Sequence, residues 1–378
     1  MEVWFLKSLF VRRSLKNLKP FSTVLIVLLI AFALFVAVND TTRLSRFNFT
    51  VKVTQTKLPE LQNSTFNTSS PVAFVKRSLH PNFTYTLENP TLCSSMSELK
   101  CLVIVHSAPL HFVNRNAIRS SWTNNSYFPD LGPIKVMFLL GRVTDNPTQS
   151  YIDTEFGKYG DILQGSFIDA YKNITYKGIM AYKWLSENCR NVKVILKVDD
   201  DIVVNTFKFM KTFLPGFLKS PRHIACRRLH KSPILRNPSS KWYVDPNSFK
   251  GKTRYPDYCQ GFTVVISNDI IPELYEASLV TDFFWIDDVF LYGLVPQKLK
   301  SIKYTSYKYG KDVIFGVDGP IKCYQNEKGD CPYYAIMPWK NIPHMITKLW
   351  TLIVKRYQRK YYYQVMDKTN ERCVLSCV

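Results

Sequence analysis

The sequence predicts an α/β domain built on a parallel sheet with helices on its faces. Apolar, strand-like runs at 101–108, 134–141 and 194–198 alternate with segments of helical or loop character. Such alternation is typical of parallel sheets. The third run, VILKV, leads directly into three consecutive aspartates at 199–201, the acidic triplet. Because open α/β sheets bind ligands at the carboxyl ends of their strands, the triplet marks the expected functional edge.

Further elements follow from residue spacing and from capping residues. Apolar residues recur at helical spacing over 174–189, and the basic segment 115–122 is expected to be a short helix or a loop. Asn205 is expected to cap a helix that begins near Thr206 and stops before Pro215, because proline disfavours helix interiors. Two more strands are expected at 223–229 and 263–267.

The composition is that of a folded, basic protein. Of 378 residues, 46% are hydrophobic and 14% aromatic, which excludes a disordered chain. The formal net charge is +21, and a charge of this size raises the hypothesis of nucleic-acid binding. The N-terminal segment instead favours the secretory lumen, where no nucleic acid is expected as a partner. The positive charge is therefore expected to be solvated or to attract anionic glycans or a membrane surface.

An uncharged apolar segment at 21–38 has the length that a helix needs to cross a bilayer. Five basic residues and one acidic residue precede it, so the positive-inside rule predicts a cytosolic N-terminus and a lumenal chain after residue 38. A cleaved signal peptide is the alternative, but its apolar core and its basic leader are usually shorter. We expect an uncleaved signal anchor.

Composition predicts five segments. These are a cytosolic tail (1–20), the transmembrane signal anchor (21–38), a glycosylated stem rich in Thr, Asn, Ser and Pro (39–92), a folded domain (93–350) and a basic, aromatic C-terminal segment (351–378). Sequons for N-glycosylation agree with a lumenal chain and occur at Asn39, Asn48, Asn63, Asn67, Asn82, Asn124 and Asn173. Asn39 is expected to lie too close to the membrane for use.

The nine cysteines are expected to form disulfides rather than zinc sites, because no CxxC pair occurs in a chain assigned to the lumen. Three pairs lie close enough in sequence to bond, namely Cys93 with Cys101, Cys323 with Cys331 and Cys373 with Cys377. The sequence does not determine the connectivity. The odd number leaves one cysteine free or intermolecular.

The acidic triplet requires positive charge nearby, because adjacent carboxylates repel one another. Side chains alternate along a strand, so Asp199 and Asp201 are expected on one side and Asp200 on the other. Carboxylate oxygens suit Mg²⁺ or Mn²⁺, and such ions keep positions open for substrate phosphates. The alternative is a solvated turn between a strand and a helix. The buried strand before the triplet favours the metal hypothesis.

A second acidic element, Asp287 and Asp288, is embedded in the aromatic stretch FFWIDDVFLYG. Desolvation and like charge are expected to raise the pKa there, which makes Asp288 a candidate general base. The alternative is a helix start, with Asp287 as the cap and the aromatic residues as core. Trp285 is interpreted either as a surface that stacks on a sugar or as core.

A third element combines Arg115, Arg119 and Trp122 after the first strand. Arginines at such a position suit the phosphates of a nucleotide or other acidic groups. A solvated basic helix is the alternative.

Taken together, these motifs resemble those of one known family. Six motifs occur in its order and spacing: RNAIRSSW, KVMFLLG, YGDILQGSFIDAYKNITYKG, KVDDDIVVN, KWYVD followed by RYPDYCQG, and DDVFLYG. The family is that of the β-1,3-galactosyltransferases and β-1,3-N-acetylglucosaminyltransferases, glycosyltransferase family 31. The resemblance covers about residues 95 to 350 and leaves out the stem and the tail.

The resemblance implies a GT-A, Rossmann-like fold in a single-pass type II protein of the Golgi membrane. It also implies an inverting transfer of galactose or N-acetylglucosamine from a UDP-sugar to the 3-hydroxyl of an acceptor glycan on protein or lipid, with Mn²⁺ as cofactor. A homodimer is included among the expected partners.

Site residues carry over position by position. By the resemblance, Asp201 is the metal ligand, Asp199 and Asp200 contact ribose or sugar, Asp288 is the catalytic base, and Arg115 and Arg119 lie near the nucleotide.

This chain departs from the family pattern at three positions. It has Asp287-Asp288-Val289 where relatives have Glu-Asp-Val, and Thr263 where a glycine is common, a change expected to reshape the donor pocket. The histidine that completes the metal site in relatives aligns near Trp339, with His344 as the nearest substitute. The last metal ligand therefore stays open.

Two rival functions use the same residues. A lumenal chaperone or lectin-like relative would keep the fold without catalysis. Loss of the acidic triplet or of the second acid would mark such a protein, and both are present here, but the absent histidine keeps this alternative open. A metal-dependent phosphohydrolase would use the same aspartates, but the sequence has no further His-rich cluster.

Overall fold

The computed structural model describes residues 83–96, 99–326 and 330–358. The predicted cytosolic tail, the signal anchor and most of the predicted stem lie outside these ranges, and so do the residues after 358. Within the described ranges, no helix combines the length and the apolar character that crossing a membrane requires.

An eight-stranded mixed sheet forms the centre of the domain, and the α/β fold class is confirmed. Its strand order is β1-β4-β3-β2-β5-β8-β7-β9. The strands are β1 (Tyr85–Leu87), β2 (Cys101–His106), β3 (Ile134–Arg142), β4 (Ile162–Ile168), β5 (Val194–Asp199), β7 (His223–Leu229), β8 (Tyr258–Ser267) and β9 (Lys303–Ser306). The four strands β4, β3, β2 and β5 run parallel, while β8 pairs antiparallel with both β5 and β7.

A smaller sheet has the order β10-β11-β6, made of Val313–Phe315, Ala335–Met337 and Val203–Val204. Because β6 follows the acidic triplet almost directly, this sheet joins the functional edge to the later part of the chain.

The helices cover both faces of the main sheet. Those with regular α geometry are α1 (Phe112–Ser120), α2 (Asn146–Tyr159), α3 (Ile174–Asn188), α5 (Ile271–Leu279), α7 (Asp318–Gln325) and α8, which spans 342–358. Two helices contain a π-helical turn. They are α4, in which Thr206–Lys208 continues through Phe209–Phe213 to Leu214–Phe217, and α6, in which Asp287–Val289 continues to Phe290–Leu294. Short 3₁₀ turns occur at Asn125–Tyr127, Pro129–Leu131, Tyr171–Asn173, Asn268–Ile270 and Pro296–Lys298.

The helix after the triplet begins as predicted but ends later. Asn205 Oδ1 accepts a hydrogen bond from the Lys208 backbone N–H (3.1 Å), as an N-cap does. The prediction that the helix stops before Pro215 is wrong, because α4 continues to Phe217. Proline removes a backbone donor, and the π-helical turn just before it changes the hydrogen-bond spacing, so the chain stays helical.

Side-chain alternation divides the core into two apolar clusters on opposite faces of the sheet. Val103, Val105 and Leu196 face α1, α4 and α8, whereas Leu102 and Ile104 face α3, α5 and α6. This period of two is the reason that the nearly continuous apolar runs predict buried strands correctly.

Both predicted limits of the folded domain fall inside it. Tyr85–Leu87 belong to the predicted stem, but they pair antiparallel with β4 at the edge of the sheet. At the other end, the limit at residue 350 falls within α8, whose Ile353 and Val354 are buried in the core. α8 therefore extends the domain past residue 350 and has one apolar face that stabilises it.

The described cysteines form three disulfides. Cys323–Cys331 confirms the sequence-neighbour pair, but Cys93 bonds Cys189 and not Cys101. Cys226 bonds Cys259, which joins β7 to β8. Cys101 starts a buried strand and is a free thiol, so the fold separates it from Cys93 despite their short distance in sequence. Cys373 and Cys377 lie outside the described residues.

Candidate active site

The acidic triplet lies at the carboxyl edge of the parallel strands, as the sequence predicts. β5 ends at Asp199, which is paired in register with His106, the last residue of β2. The backbone N–H of Asp200 donates to the His106 carbonyl (3.1 Å). Asp199 pairs with Lys197 on the face of the sheet that α6 covers, whereas Asp200 bonds Ser107 on the face that α1 covers. The expected alternation between these two carboxylates is therefore observed.

Asp200 is held by donors from the segment that joins β2 to α1. Its Oδ2 accepts hydrogen bonds from Ser107 Oγ (2.7 Å) and Ala108 N–H (3.2 Å), and it lies 2.8 Å from His111 Nδ1. The hydrogen bond to Asp200 raises the pKa of His111, which favours a charged pair. Asp200 therefore anchors this segment, and its contact with ribose or sugar stays a prediction.

Arg115 holds the same segment, between β2 and α1, through hydrogen bonds. It is fully buried, and its guanidinium donates on every side at 2.6–3.1 Å. The acceptors are Glu155, Ser107 Oγ and the carbonyls of Ala108 and Pro109. In this arrangement the arginine orients the loop that holds the triplet. Its predicted contact with a nucleotide stays a prediction.

Arg119 extends this network away from the triplet. Its Nε and Nη2 each donate to Asp161 at 2.7 Å, and its Nη1 donates to Glu155 at 2.6 Å. The guanidinium also lies over the rings of Phe138 and Tyr159. Glu155 thus forms ion pairs with both arginines, and all three side chains are largely buried. The arginines of α1 therefore belong to a buried ion network and not to the solvated basic helix of the alternative hypothesis.

Lys197 connects the triplet to the second acidic element. Only 1% of its side chain is exposed, and Nζ donates to Asp199 Oδ1 and to the Gly261 carbonyl, both at 2.7 Å. Burial alone would lower the pKa of this lysine, but the charges of Asp199, Asp287 and Asp288 outweigh burial and raise it. Lys197 is therefore the positive charge that two groups of carboxylates share.

Asp201 differs from its neighbours, because its Oδ1 is buried and has no hydrogen-bond partner among the described residues. Desolvation, followed by the charges of Asp199 and Asp200, raises the pKa of Asp201 to about 7. A buried carboxylate oxygen without a donor carries a desolvation cost that a bound cation would remove. A carboxylate oxygen is the kind of ligand that a hard divalent ion such as Mn²⁺ prefers.

Asp287 and Asp288 begin α6, where the chain meets β8. The N-cap position belongs to Ile286, so Asp287 is not the cap that the alternative hypothesis assigned. Asp288 lies against Gly261, where a Cβ atom would overlap its Oδ1, so only glycine allows this approach. Desolvation and then the charge of Asp287 raise the pKa of Asp288 to about 8. Desolvation also raises the pKa of Asp287.

Exposed aromatic side chains stand beside the second acidic element. Trp285 lies 6.1 Å from Tyr171 between ring centroids, and the Trp242 indole N–H donates to the Tyr171 hydroxyl (3.0 Å). Tyr171 and Trp242 are 44% and 49% exposed. This cluster has the flat, accessible rings on which sugars stack. The half-buried ring of Trp285 packs against the apolar core and also contacts these exposed rings.

The last metal ligand is not identified by the fold. Within the described part of the chain, no group of three or more His, Cys, Asp or Glu side chains has the geometry of a metal site. Trp339 is 69% exposed, and His344 is exposed on α8. Thr263 is buried in β8, opposite Val198.

Sequence reasoning missed several charged residues that build this site. Lys177 on α3 donates to the Ser107 carbonyl (2.7 Å) and pairs with Asp169 (2.8 Å). Glu155, Lys197 and His106 were missed as well. The available signal was a charged residue inside an apolar pattern, as in VILKV and ITYKG, because such a residue needs a buried partner.

Family comparisons agree with the predicted resemblance. The model of the galactosyltransferase family matches residues 113–307. A lactosylceramide 1,3-N-acetyl-β-D-glucosaminyltransferase of Xenopus tropicalis is 32% identical over 231 residues, which cover 57% of this chain and 60% of that protein. The human protein of the same name is 32% identical over 237 residues, with the same coverage. The match therefore spans about 60% of the length of these relatives.

Solved structures with a similar arrangement are distant. One is a glycosyltransferase involved in the glycosylation of the major capsid of PBCV-1, with 11% identity and a TM-score of 0.34 over 67% of this chain and 99% of that chain. Another is an active-site mutant of LgtC, with 10% identity and a TM-score of 0.34 over 66% of this chain and 94% of that chain.

The matched range includes the arginines of α1, the acidic triplet and the second acidic element. It covers more than half of the sequence. The chain belongs to the galactosyltransferase family, among the β-1,3-glycosyltransferases.

Proposed function

We propose that this protein is an inverting β-1,3-glycosyltransferase that moves N-acetylglucosamine or galactose from a UDP-sugar to the 3-hydroxyl of an acceptor glycan. One observation carries the proposal. Lys197 donates to Asp199 of the acidic triplet and to the carbonyl of Gly261, and Asp288 packs against the same Gly261, so the two acidic elements flank one site.

Asp288 is the proposed general base. It accepts the proton of the acceptor hydroxyl while the hydroxyl oxygen forms a bond to the anomeric carbon of the donor. The bond between that carbon and the diphosphate oxygen breaks, and UDP leaves with the electron pair. A raised pKa makes Asp288 a stronger base than an ordinary carboxylate, which suits removal of a proton from a sugar hydroxyl.

Asp201 is the proposed ligand of Mn²⁺, because its buried Oδ1 needs a positive partner. When bound, the cation supplies positive charge to the departing diphosphate. Asp199 keeps about a third of its side chain exposed (36%), so it remains accessible to the ribose or the sugar of a donor. Asp200 and Arg115 hold the loop after β2, and Arg119 reaches this network through Glu155.

The relatives suggest which substrates to test first. Both are named as enzymes that act on lactosylceramide with N-acetylglucosamine. We therefore propose UDP-N-acetylglucosamine with a lactose-terminated glycolipid as the first pair, and UDP-galactose as the second donor. The apolar segment at 21–38 and the sequons support a type II protein of the Golgi membrane.

The test uses the full-length chain purified in detergent, with UDP release and product linkage measured for both donors, with and without Mn²⁺. We expect Asp201→Ala and Asp288→Asn each to lower transfer by about 100-fold or more. Asp130→Asn is the matched control, because Asp130 is exposed on a 3₁₀ turn remote from the triplet in sequence. Near-normal transfer by either site variant would exclude the assignment.

The same assay separates the rival functions. Binding of UDP-sugar without transfer to any acceptor in a panel would favour the non-catalytic relative. Release of phosphate from simple esters would favour the phosphohydrolase.

A further inference from the structure

His106 is a buried histidine at the centre of the site that the proposed mechanism does not use. It is the last residue of β2 and is paired with Leu139 of β3 on one side and Asp199 of β5 on the other. Its side chain is 6% exposed. By strand alternation it shares a face with Leu102 and Ile104, which is the face that α3 and α6 cover.

Neither ring nitrogen of His106 has a hydrogen-bond partner among the described residues. The nearest charged group, Asp287 Oδ2, lies 3.8 Å from Nδ1, which is too far for a hydrogen bond. An unpaired buried polar group destabilises the folded state, so each such group in a native protein requires an explanation. Here two polar atoms of one ring are unpaired at the functional edge.

The surroundings of the ring define what it offers to a partner. Burial, together with the positive charges of Lys197 and Lys177, lowers the pKa of His106, so its imidazole is neutral. A neutral imidazole has one N–H donor and one acceptor nitrogen. A sugar hydroxyl both donates and accepts, and an acetamido group offers an N–H and a carbonyl, so either group matches this ring.

The position of the ring indicates which part of a substrate would meet it. Asp199, beside it in the sheet, is assigned to the ribose or sugar of the donor, and Asp287 adjoins the proposed base. The transferred sugar must lie between these two elements during the reaction.

We propose that His106 binds a hydroxyl or acetamido group of the transferred sugar and thereby contributes to the choice of donor. This inference rests on the proposed glycosyltransferase function, because it assumes a UDP-sugar at the same edge of the sheet. It assigns a donor-recognition role to a residue that lies outside the acidic motifs.

The experiment compares the binding of UDP with that of UDP-N-acetylglucosamine and UDP-galactose by titration calorimetry on the full-length chain. UDP lacks the transferred sugar, so it reports on the rest of the site. In His106→Leu we expect the affinity for the preferred UDP-sugar to fall about tenfold, while the affinity for UDP changes less than twofold. His106→Asn keeps a donor and an acceptor and should recover part of the loss.

His223 provides the matched control. Its Nδ1 is also buried without a partner among the described residues, but it begins β7. Its backbone N–H donates to Oγ of Ser267, the last residue of β8, which is paired with Val194 at the start of β5, so His223 lies at the opposite edge of the sheet. His223→Leu should leave both affinities unchanged. Thermal unfolding of His106→Leu should occur at the same temperature as in the wild type or slightly higher, because an unpaired buried polar group is removed.

The outcomes are distinct. If the wild type transfers sugar but His106→Leu binds UDP and UDP-sugar with unchanged affinities, or loses both equally, the inference about His106 is wrong and the proposed function stands. If His106→Leu instead loses stability at unchanged donor affinity, the ring has a structural partner and the inference is again wrong. If the wild type binds no UDP-sugar, both proposals fail.

Discussion

The two acidic elements contain the same residue type, but their aspartates differ in hydrogen-bond partners and in burial. At the strand end, Asp200 accepts hydrogen bonds from the segment after β2, and Asp199 pairs with Lys197. At the start of α6, desolvation raises the pKa of both Asp287 and Asp288. Asp199 and Asp200 thus have hydrogen-bond donors around them, whereas burial raises the pKa of Asp201 as it raises that of Asp287 and Asp288. Position relative to donors and cations, rather than residue type, therefore decides the role of each aspartate.

Replacing Asp288 tests the second half of this comparison most directly. Asp288→Asn should lower transfer by about 100-fold or more, because an amide cannot accept the proton. The same variant should unfold a few degrees higher at pH 8, because a desolvated carboxyl next to Asp287 is removed. Loss of activity together with loss of stability would show that Asp288 is structural.

Lys197→Met breaks the link between the two elements. Its removal leaves Asp199 without its buried partner, so we expect stability to fall by about 3 kcal/mol and transfer to fall by about tenfold or more. Chemical unfolding and donor kinetics measure the two effects. A comparison with Lys193→Met controls for loss of charge, because the exposed Lys193 directly precedes the first residue of β5 and so lies at the opposite edge of the sheet. Equal effects in both variants would contradict the linking role.

The dependence of stability on pH follows from the raised pKa of Asp288. The pKa of the Asp288 carboxyl is near its ordinary value of 3.8 in the unfolded chain and about 8 in the folded one, so between these values the folded state retains a proton that the unfolded state has lost. Stability should therefore fall as pH rises from about 4 to 8, and Asp288→Asn should flatten this slope. In transfer assays, kcat/KM should rise over the upper part of the same range as the base ionises. An opposite slope that persists in the variant would contradict this origin.

Glu155→Gln tests the ion network of Arg115 and Arg119 that holds the loop next to the acidic triplet, and its expected effect on activity is smaller. It weakens the joint between Arg115 and Arg119, so we expect a loss of about 1–3 kcal/mol in stability and a several-fold rise in the donor KM with little change in kcat. A fall in kcat at unchanged KM would instead place the arginines in direct contact with the reacting groups.

Asn205→Ala gives the smallest expected effect and lies outside both elements. The variant loses the cap of α4, which costs about 1 kcal/mol of stability. Donor affinity should not change. A change in donor affinity would show that the segment after the triplet moves with the site.

Local patterns predicted the parts of this molecule that depend on local physics. The runs at Cys101–His106 and Val194–Asp199 are strands because their residues are buried on both faces, and the triplet follows at the correct edge. The Asn205 cap was readable for the same reason. The family pattern then selected Asp288 from among many acidic residues.

Long-range partners were the part that the sequence did not reveal. The sequence suggests a nucleotide contact for Arg115, which stays a prediction, but it does not show that Glu155, 40 residues later, accepts a hydrogen bond from this arginine. Cys93 forms a disulfide with Cys189, 96 residues away, although Cys101 is much closer in sequence. The orphaned ring of His106 likewise depends on which charged groups three separate elements bring around it. These long-range partners are determined by the tertiary packing, which short sequence patterns do not specify.

The pairing of β1 with β4 has a practical consequence for making the domain in secreted form. A chain started at residue 93, where composition places the end of the stem, would lack Tyr85–Leu87 and leave one side of β4 without hydrogen-bond partners. An open strand edge invites pairing between molecules, so this shortened form should aggregate during expression. A chain that begins ahead of Tyr85 keeps that edge covered and is the better starting material for crystallography.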